Sequence, residues 1–173
     1  MKLNAKQLRK GLGIRVQAIV KKQEIYIVLD NVLDTYNIGS IFRLADAVAA
    51  KKLFLCEGTE TPPNPRIKKA SINTTEWVEW EWCETALDAV RKCKVQSAKC
   101  KVIAIEQSTK SVPYDQFEYT MPICLIVGNE TNGVSKEVLD LADAIIEIPM
   151  FGVNKSLNVM VSLGIVLYEA IKV

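Results

Sequence analysis

The stretches ICLIVGNETNGVS, residues 123–135, and IEIPMFGVNKSLNVMVSLGIVLYEA, residues 146–170, decide the fold of this chain. Each begins as an apolar run of strand length and then breaks into polar, turn-prone residues. Gly128-Asn129-Glu130 follows the first run. Pro149, a glycine-bearing loop and then Ser156-Leu157-Asn158 follow the second, at the opening of a long apolar helix. Apolar runs without alternation suit parallel strands buried on both faces. In open sheets of that type, ligands bind beyond the carboxyl ends of the strands. The two loops are therefore expected to be neighbouring walls of one small-molecule pocket.

The rest of the chain supplies the remaining strands and helices. IYIVLD, 25–30, reads as a buried strand that ends at the Asp30-Asn31 turn signal. NIGSIFRLADAVAA, 37–50, has helical periodicity with Ile41, Leu44, Ala45 and Val48 inward, and LFLC, 53–56, is the next strand. The prolines of TPPNP, 61–65, forbid regular pairing, and RIKKASIN then holds a short basic turn of helix. WVEWEW, 77–82, alternates as a strand with one solvated face would. A helix over 84–94, strands at 102–105, 123–127 and 144–148, a loop at 112–117, and helices over 134–142 and 156–170 complete the reading. Alternating strands and helices predict an α/β fold, a mostly parallel sheet with helices on both faces.

The length of 173 residues predicts a single domain, and 49% hydrophobic with 24% charged residues is the balance of a globular protein. Such a chain buries an adequate core without disulfides. The net charge of +2 says little, but residues 1–22 carry seven Lys or Arg and no acid. A helix over 2–21 with that excess favours phosphate-bearing partners, the plainer alternative being a solvated basic helix. Cysteines stand at 56, 83, 93, 100 and 124, an odd count without CxxC spacing, so neither a disulfide framework nor a zinc site is indicated. Scattered thiols fit a reducing cytoplasm. The absence of His removes the commonest general base and metal ligand. Neither a signal-peptide core nor an apolar run of membrane-spanning length is visible, so no membrane partner is expected, and the cysteine spacing with the missing His leaves no metal expected.

Three segments hold residue types that can carry chemistry. In NIGSIFR, 37–43, Asn37 suits an N-cap, Gly39 permits close approach of a backbone or ligand, and Arg43 lies one turn further on. The guanidinium fork suits a phosphate or carboxylate, and a surface arginine is the plain alternative. Glu130 has three options: holding a cation, orienting a base, or capping the helix expected from Val134. The glycines around it form neither a Walker loop nor GxGxxG. Ser156 and Asn158 cannot both cap the last helix. Asn158 is placed inside its first turn, where Asn has poor propensity, with Ser162 as a possible polar partner at i+4.

Taken together, NIGSIFR, IVGNETNGVS and IPMFGVNKSLNVMVSLGIVLYEA resemble, in that order, the three signature motifs of the SpoU/TrmH family, the RNA 2′-O-ribose methyltransferases of the SPOUT superfamily. LDNVLDTYNIGSIFRLADA and TPPNPRIKKA are similar to the family too, and the likeness runs over about residues 25–171. It implies a Rossmann-like α/β sheet whose C-terminal part is threaded into a trefoil knot, which periodicity alone cannot reveal. It implies S-adenosylmethionine as cofactor, contacted by Gly128, Ile148, Met150 and Leu157 with the loop after Ile105 nearby. The family's catalytic set falls on Asn37, Arg43, Glu130, Ser156 and Asn158. The resemblance further implies a homodimer in which Arg43 reaches toward the partner's cofactor site.

The expected arrangement is a basic arm at 1–22 and one methyltransferase domain at 23–173, acting in the cytoplasm on a structured RNA, tRNA or rRNA. Many family members carry a further N-terminal RNA-binding domain or long extensions. Substrate choice is accordingly expected from residues 1–22, the Arg66-Lys68-Lys69 patch and the dimer surface. A catalytically inactive RNA-binding dimer of the same fold is the alternative, against which the complete five-residue set weighs. A dehydrogenase is disfavoured because no phosphate loop follows the first strand.

Overall fold

The computed structural model describes residue 7 and residues 20–172. The basic helix expected over 2–21 lies almost wholly outside them. Seven strands, β1 (Gln23–Asp30), β2 (Ala50–Cys56), β3 (Trp80–Cys83), β4 (Lys101–Ile105), β5 (Val112–Pro113), β6 (Ile123–Gly128) and β7 (Ala144–Glu147), form one sheet in the order β3-β2-β1-β6-β4-β7-β5. Every pairing between them is parallel. Between them run α1 (Thr35–Ala47), α2 (Pro65–Ser71), α3 (Ala86–Gln96), α4 (Lys136–Leu141) and the final α5 (Val159–Ala170).

The central strands explain the sheet. Ile25 through Leu29 in β1 and Ile123 through Ile126 in β6 are wholly buried, as strands covered on both faces require. Successive side chains point to opposite faces. Ile25, Ile27 and Leu29 therefore join the core beneath α1 and α5, while Tyr26 and Val28 join the core beneath α3 and α4. Each such Leu or Ile stabilises the fold by about 1.5–3 kcal/mol relative to exposure. β1 and β6 run in register, with Asp30 opposite Gly128, and Ile105 of β4 lies opposite Ile146 of β7. The carboxyl ends of four central strands are thereby brought to one rim, and the loops that follow them are neighbours.

Several local expectations are corrected. α1 starts two residues earlier than expected, because Asp34 and not Asn37 is its N-cap: the Asp34 carboxylate accepts the Tyr36 N–H at 2.7 Å. The last helix starts at Val159, with Asn158 as its N-cap accepting the Met160 N–H at 2.9 Å. Ser156 and Leu157 belong to the preceding loop. The strand expected at 77–82 shrinks to 80–83. Trp77 instead follows a 3-10 turn (Thr74–Glu76), packs against the core and donates to the Asp46 carboxylate at 2.7 Å. An aromatic can be buried from a turn, which the alternating pattern does not reveal. The Asp30-Asn31 turn is confirmed, with Asn31 in the left-handed region at φ 58°.

Gly39 earns its place by close packing of α1 on α2. A Cβ there would lie 2.6 Å from Ala70 Cβ and 2.8 Å from the Ile67 carbonyl. All five cysteines are buried. Burial pushes the Cys100 thiol up to about 12 and raises Cys56 and Cys83 as well, so these thiols are not nucleophiles at neutral pH. No helix among the described residues is long and apolar enough to cross a membrane.

Candidate active site

At the rim formed by β4, β6 and β7 lies a cavity of about 430 Å³. Gly128, Glu130, Ile148, Met150, Ser156, Leu157 and Asn158, all singled out from the sequence, line it. The two loops expected to be neighbours are therefore walls of one pocket. Ile105, Val127 and Val159 add apolar surface, and Glu106, Gln107 and Glu147 add polar groups that the sequence reading did not name. Glu106 directly follows an apolar strand at its carboxyl end, and that position was the available signal.

A chain of hydrogen bonds holds the loops in place. The Asn158 amide donates to Asn37 Oδ1 at 3.0 Å, and Asn37 Nδ2 donates to Glu130 Oε1 at 3.1 Å. Glu130 also accepts the Leu33 N–H at 3.1 Å and the Asp34 N–H at 3.0 Å. Glu130 thus serves the N-terminus of α1, not the helix after Val134. Asn37 is buried, with its amide oxygen and nitrogen both engaged, so the network polarises in one direction from Asn158 through Asn37 to Glu130. Partial burial by itself would raise the pKa of Glu130. The donors on Leu33, Asn37 and Asp34 outweigh that effect and hold its carboxyl below the ordinary carboxylate value. Ser162 returns its hydroxyl to the Asn158 carbonyl at 3.2 Å, a main-chain contact in place of the side-chain pair considered from sequence.

The glycine after β6 is required by contact. A Cβ on Gly128 would lie 2.1 Å from the Gly133 carbonyl carbon and 2.2 Å from Val134 N. The loop between them is closed by Asn129 and Gly133, whose main chains exchange hydrogen bonds of 3.0 and 2.9 Å. Arg43 stands apart from this cavity. It is exposed on α1 and forms no ion pair or hydrogen bond among the described residues. Four of the five expected catalytic residues are thus brought together, and the fifth is free to act elsewhere.

The chemistry of the lining narrows the ligand. Three carboxylates, Glu106, Glu130 and Glu147, face the cavity, and no Lys or Arg is among its described lining residues. A phosphate-bearing dinucleotide would find no counter-charge there. A compact molecule with a positive centre, hydroxyl and amino donors and one flat apolar part fits both the charge and the volume. S-adenosylmethionine has those properties, and the apolar walls from Ile148, Met150 and Leu157 suit its adenine.

Comparison with known proteins agrees. The model of the SpoU rRNA Methylase family matches residues 24–168. The chain is 36% identical over 167 residues to the tRNA (guanosine(18)-2′-O)-methyltransferase of Aquifex aeolicus, covering 94% of this chain and 76% of that protein. It is 31% identical over 153 residues to the enzyme of the same name from Escherichia coli K12, covering 87% of this chain and 64% of that protein. The AdoMet-bound rRNA methyltransferase of Sinorhizobium meliloti superposes with a TM-score of 0.79 at 31% identity, over 91% of this chain and 59% of that one. The chain therefore spans about three fifths of the length of the latter two. On the match over residues 24–168, this chain belongs to the SpoU rRNA methylase family.

Proposed function

We propose that this protein is an S-adenosylmethionine-dependent RNA methyltransferase that places a methyl group on a ribose 2′-hydroxyl of tRNA or rRNA. The carrying observation is the bonded series Asn158–Asn37–Glu130, in which the start of α1 ties together two distant segments that line an acidic cavity. Family membership and the names of the relatives support the same reading.

When bound, S-adenosylmethionine supplies a methyl group activated on a sulfonium. The chain's own task is positioning. Gly128, Ile148, Met150 and Leu157 hold the donor in a shaped pocket, where an aligned oxygen reacts without metal assistance. Asn37, Glu130 and Asn158 keep the pocket loops and the start of α1 in one arrangement. Arg43 cannot serve as a base, because a guanidinium is a donor that does not deprotonate. It acts as a clamp that binds the RNA phosphate and stabilises the charge developing on the 2′-oxygen as the hydroxyl proton passes to solvent water. Ser156, at the cavity mouth, helps to place Arg43 or the ribose.

The assembly we propose is a homodimer in which Arg43 serves the partner's cavity. Its support is the separation of Arg43 from its own cavity and the apolar surface left on α1 and α5, where Tyr36 is 65%, Val161 39% and Tyr168 51% exposed. A C-terminal knot is part of the same reading. It is supported by the insertion of β7 between the earlier β4 and β5, after which α5 packs back on α1. RNA is gripped by Arg66, Lys68 and Lys69, exposed on α2 beside α1, together with the basic segment 1–22, as one domain over 23–173 presents them. Five thiols without a disulfide fit work in the cytoplasm.

The test is calorimetric titration with S-adenosylmethionine, followed by transfer of labelled methyl groups to total tRNA and rRNA with mapping of 2′-O-methyl sites. Donor binding and ribose methylation are expected. Absence of donor binding would refute the proposal.

A further inference from the structure

Glu106 occupies the joint of the cavity and belongs to none of the three motifs. It is the first residue beyond β4, and its main-chain N–H donates to the Ile146 carbonyl of β7 at 3.0 Å. Its side chain reaches the opposite side, where Oε2 accepts the Val134 N–H at 3.0 Å. Oε1 accepts the Gln107 N–H at 2.8 Å. Gln107 in turn donates through Nε2 to the Lys155 carbonyl in the loop before α5. Two consecutive residues thus tie β4 to both cavity loops. Gly133 accommodates this: at φ 71° it carries no side chain, and a Cβ there would lie 2.1 Å from Glu106 Oε2.

The two backbone donors leave capacity unused. A carboxylate has about four lone-pair sites, and only two are engaged here. Both donors come from main chain, so the plane of the carboxylate is set before a ligand arrives, and little side-chain freedom is lost on binding. Glu130 differs in having three of its sites taken by Leu33, Asp34 and Asn37. Glu147, the third cavity carboxylate, has no hydrogen-bond or ion-pair partner for its side chain among the described residues, so nothing fixes its direction. A fixed carboxylate with two free sites, at the carboxyl end of a parallel strand, is suited to two adjacent hydroxyl donors, as in the acidic residues that receive a nucleotide ribose in other open sheets.

We propose that Glu106 is a cofactor-binding residue whose carboxylate accepts hydrogen bonds from the vicinal ribose hydroxyls of the methyl donor. This rests on the reading of the cavity as an S-adenosylmethionine site and adds a contact to it. Gln107 is then the positioning residue that ties this contact to the loop carrying Ser156 and Leu157. The contact is selective for the sugar and does not depend on the sulfonium, so donor and demethylated product share it.

The experiment crosses a residue change with a ligand change. Wild-type protein, Glu106→Gln and Glu147→Gln are titrated calorimetrically with S-adenosylhomocysteine and with its 2′,3′-dideoxy analogue. Glu106→Gln is expected to weaken S-adenosylhomocysteine binding roughly 10- to 100-fold, the range for lost hydrogen bonds to a charged group, and to change the analogue less than about 2-fold. Glu147→Gln is expected to treat the two ligands alike. Equal weakening of both ligands by Glu106→Gln would assign the residue to loop support only and overturn the proposal, as would no effect on either. A selective loss in Glu147→Gln alone would move the contact there and likewise overturn it. Glu106→Asp retains the carboxylate but withdraws it by one methylene, and should show the same ligand-selective loss if the Gln variant does not fold. If wild-type protein binds neither ligand, the site assignment itself fails, a result distinct from the others.

Discussion

Replacing Gly128 with Ala probes the contact on which the cavity depends. The new methyl would lie 2.1 Å from Gly133 C and 2.2 Å from both Gly133 O and Val134 N. Non-bonded carbon atoms settle at about 3.5 Å, so the 129–134 loop must retreat by roughly 1.4 Å. That movement stretches the Val134 N–H bond to Glu106, now 3.0 Å, beyond hydrogen-bonding range. Overpacking against backbone costs about 1–3 kcal/mol, and the lost bond to a carboxylate costs about 1.5–3 kcal/mol. The combined loss of about 2.5–6 kcal/mol should lower the melting temperature by roughly 5–24 °C for a chain of this size. Circular dichroism melts measure this, and calorimetry at 20 °C, where the variant is still folded, should show S-adenosylmethionine binding weakened at least ~10-fold. Gly152→Ala is the control, since nothing lies within 4 Å of its added methyl, and it should melt with the wild type. If Gly128→Ala melts within a degree of wild type and binds the donor equally well, the close approach at the end of β6 is wrong.

Other changes test separate parts of the site. The Glu130 carboxyl is held below its ordinary value of about 4.3, so its contribution to stability is complete above that value and is lost as pH falls through the lower folded value. Acid titration of unfolding should therefore be less steep below about pH 4.3 for Glu130→Gln than for wild type, and identical slopes would contradict the bonding seen at α1. Asn158→Ala removes an N-cap and leaves the buried Asn37 oxygen without its donor, about 1.5–5 kcal/mol together, with a melting temperature lower by roughly 3–20 °C. Arg43→Ala should melt like wild type, because the side chain is exposed and has no partner among the described residues, and should bind S-adenosylmethionine normally while losing methyl transfer by at least ~100-fold. Retained turnover would remove Arg43 from the reaction.

The amino-acid order by itself determined much of this protein. Apolar runs such as ICLIV declared their strands, because a strand covered on both faces has no solvated side to alternate toward. The turn residues after Val127, and the motif resemblance, located the cavity residues. What only the tertiary structure decided is whom the polar side chains serve. Asn37 looks like a helix cap, yet its partners lie 93 and 121 positions away, at Glu130 and Asn158. The partners of Glu106 have no local signal either: they are set only where β6 and β7 flank β4 and bring Val134 against its carboxylate. Local pattern encodes periodicity and turn chemistry, since those depend on near neighbours. Contacts across the rim of a sheet depend on strand order, which burial of the whole core settles at once.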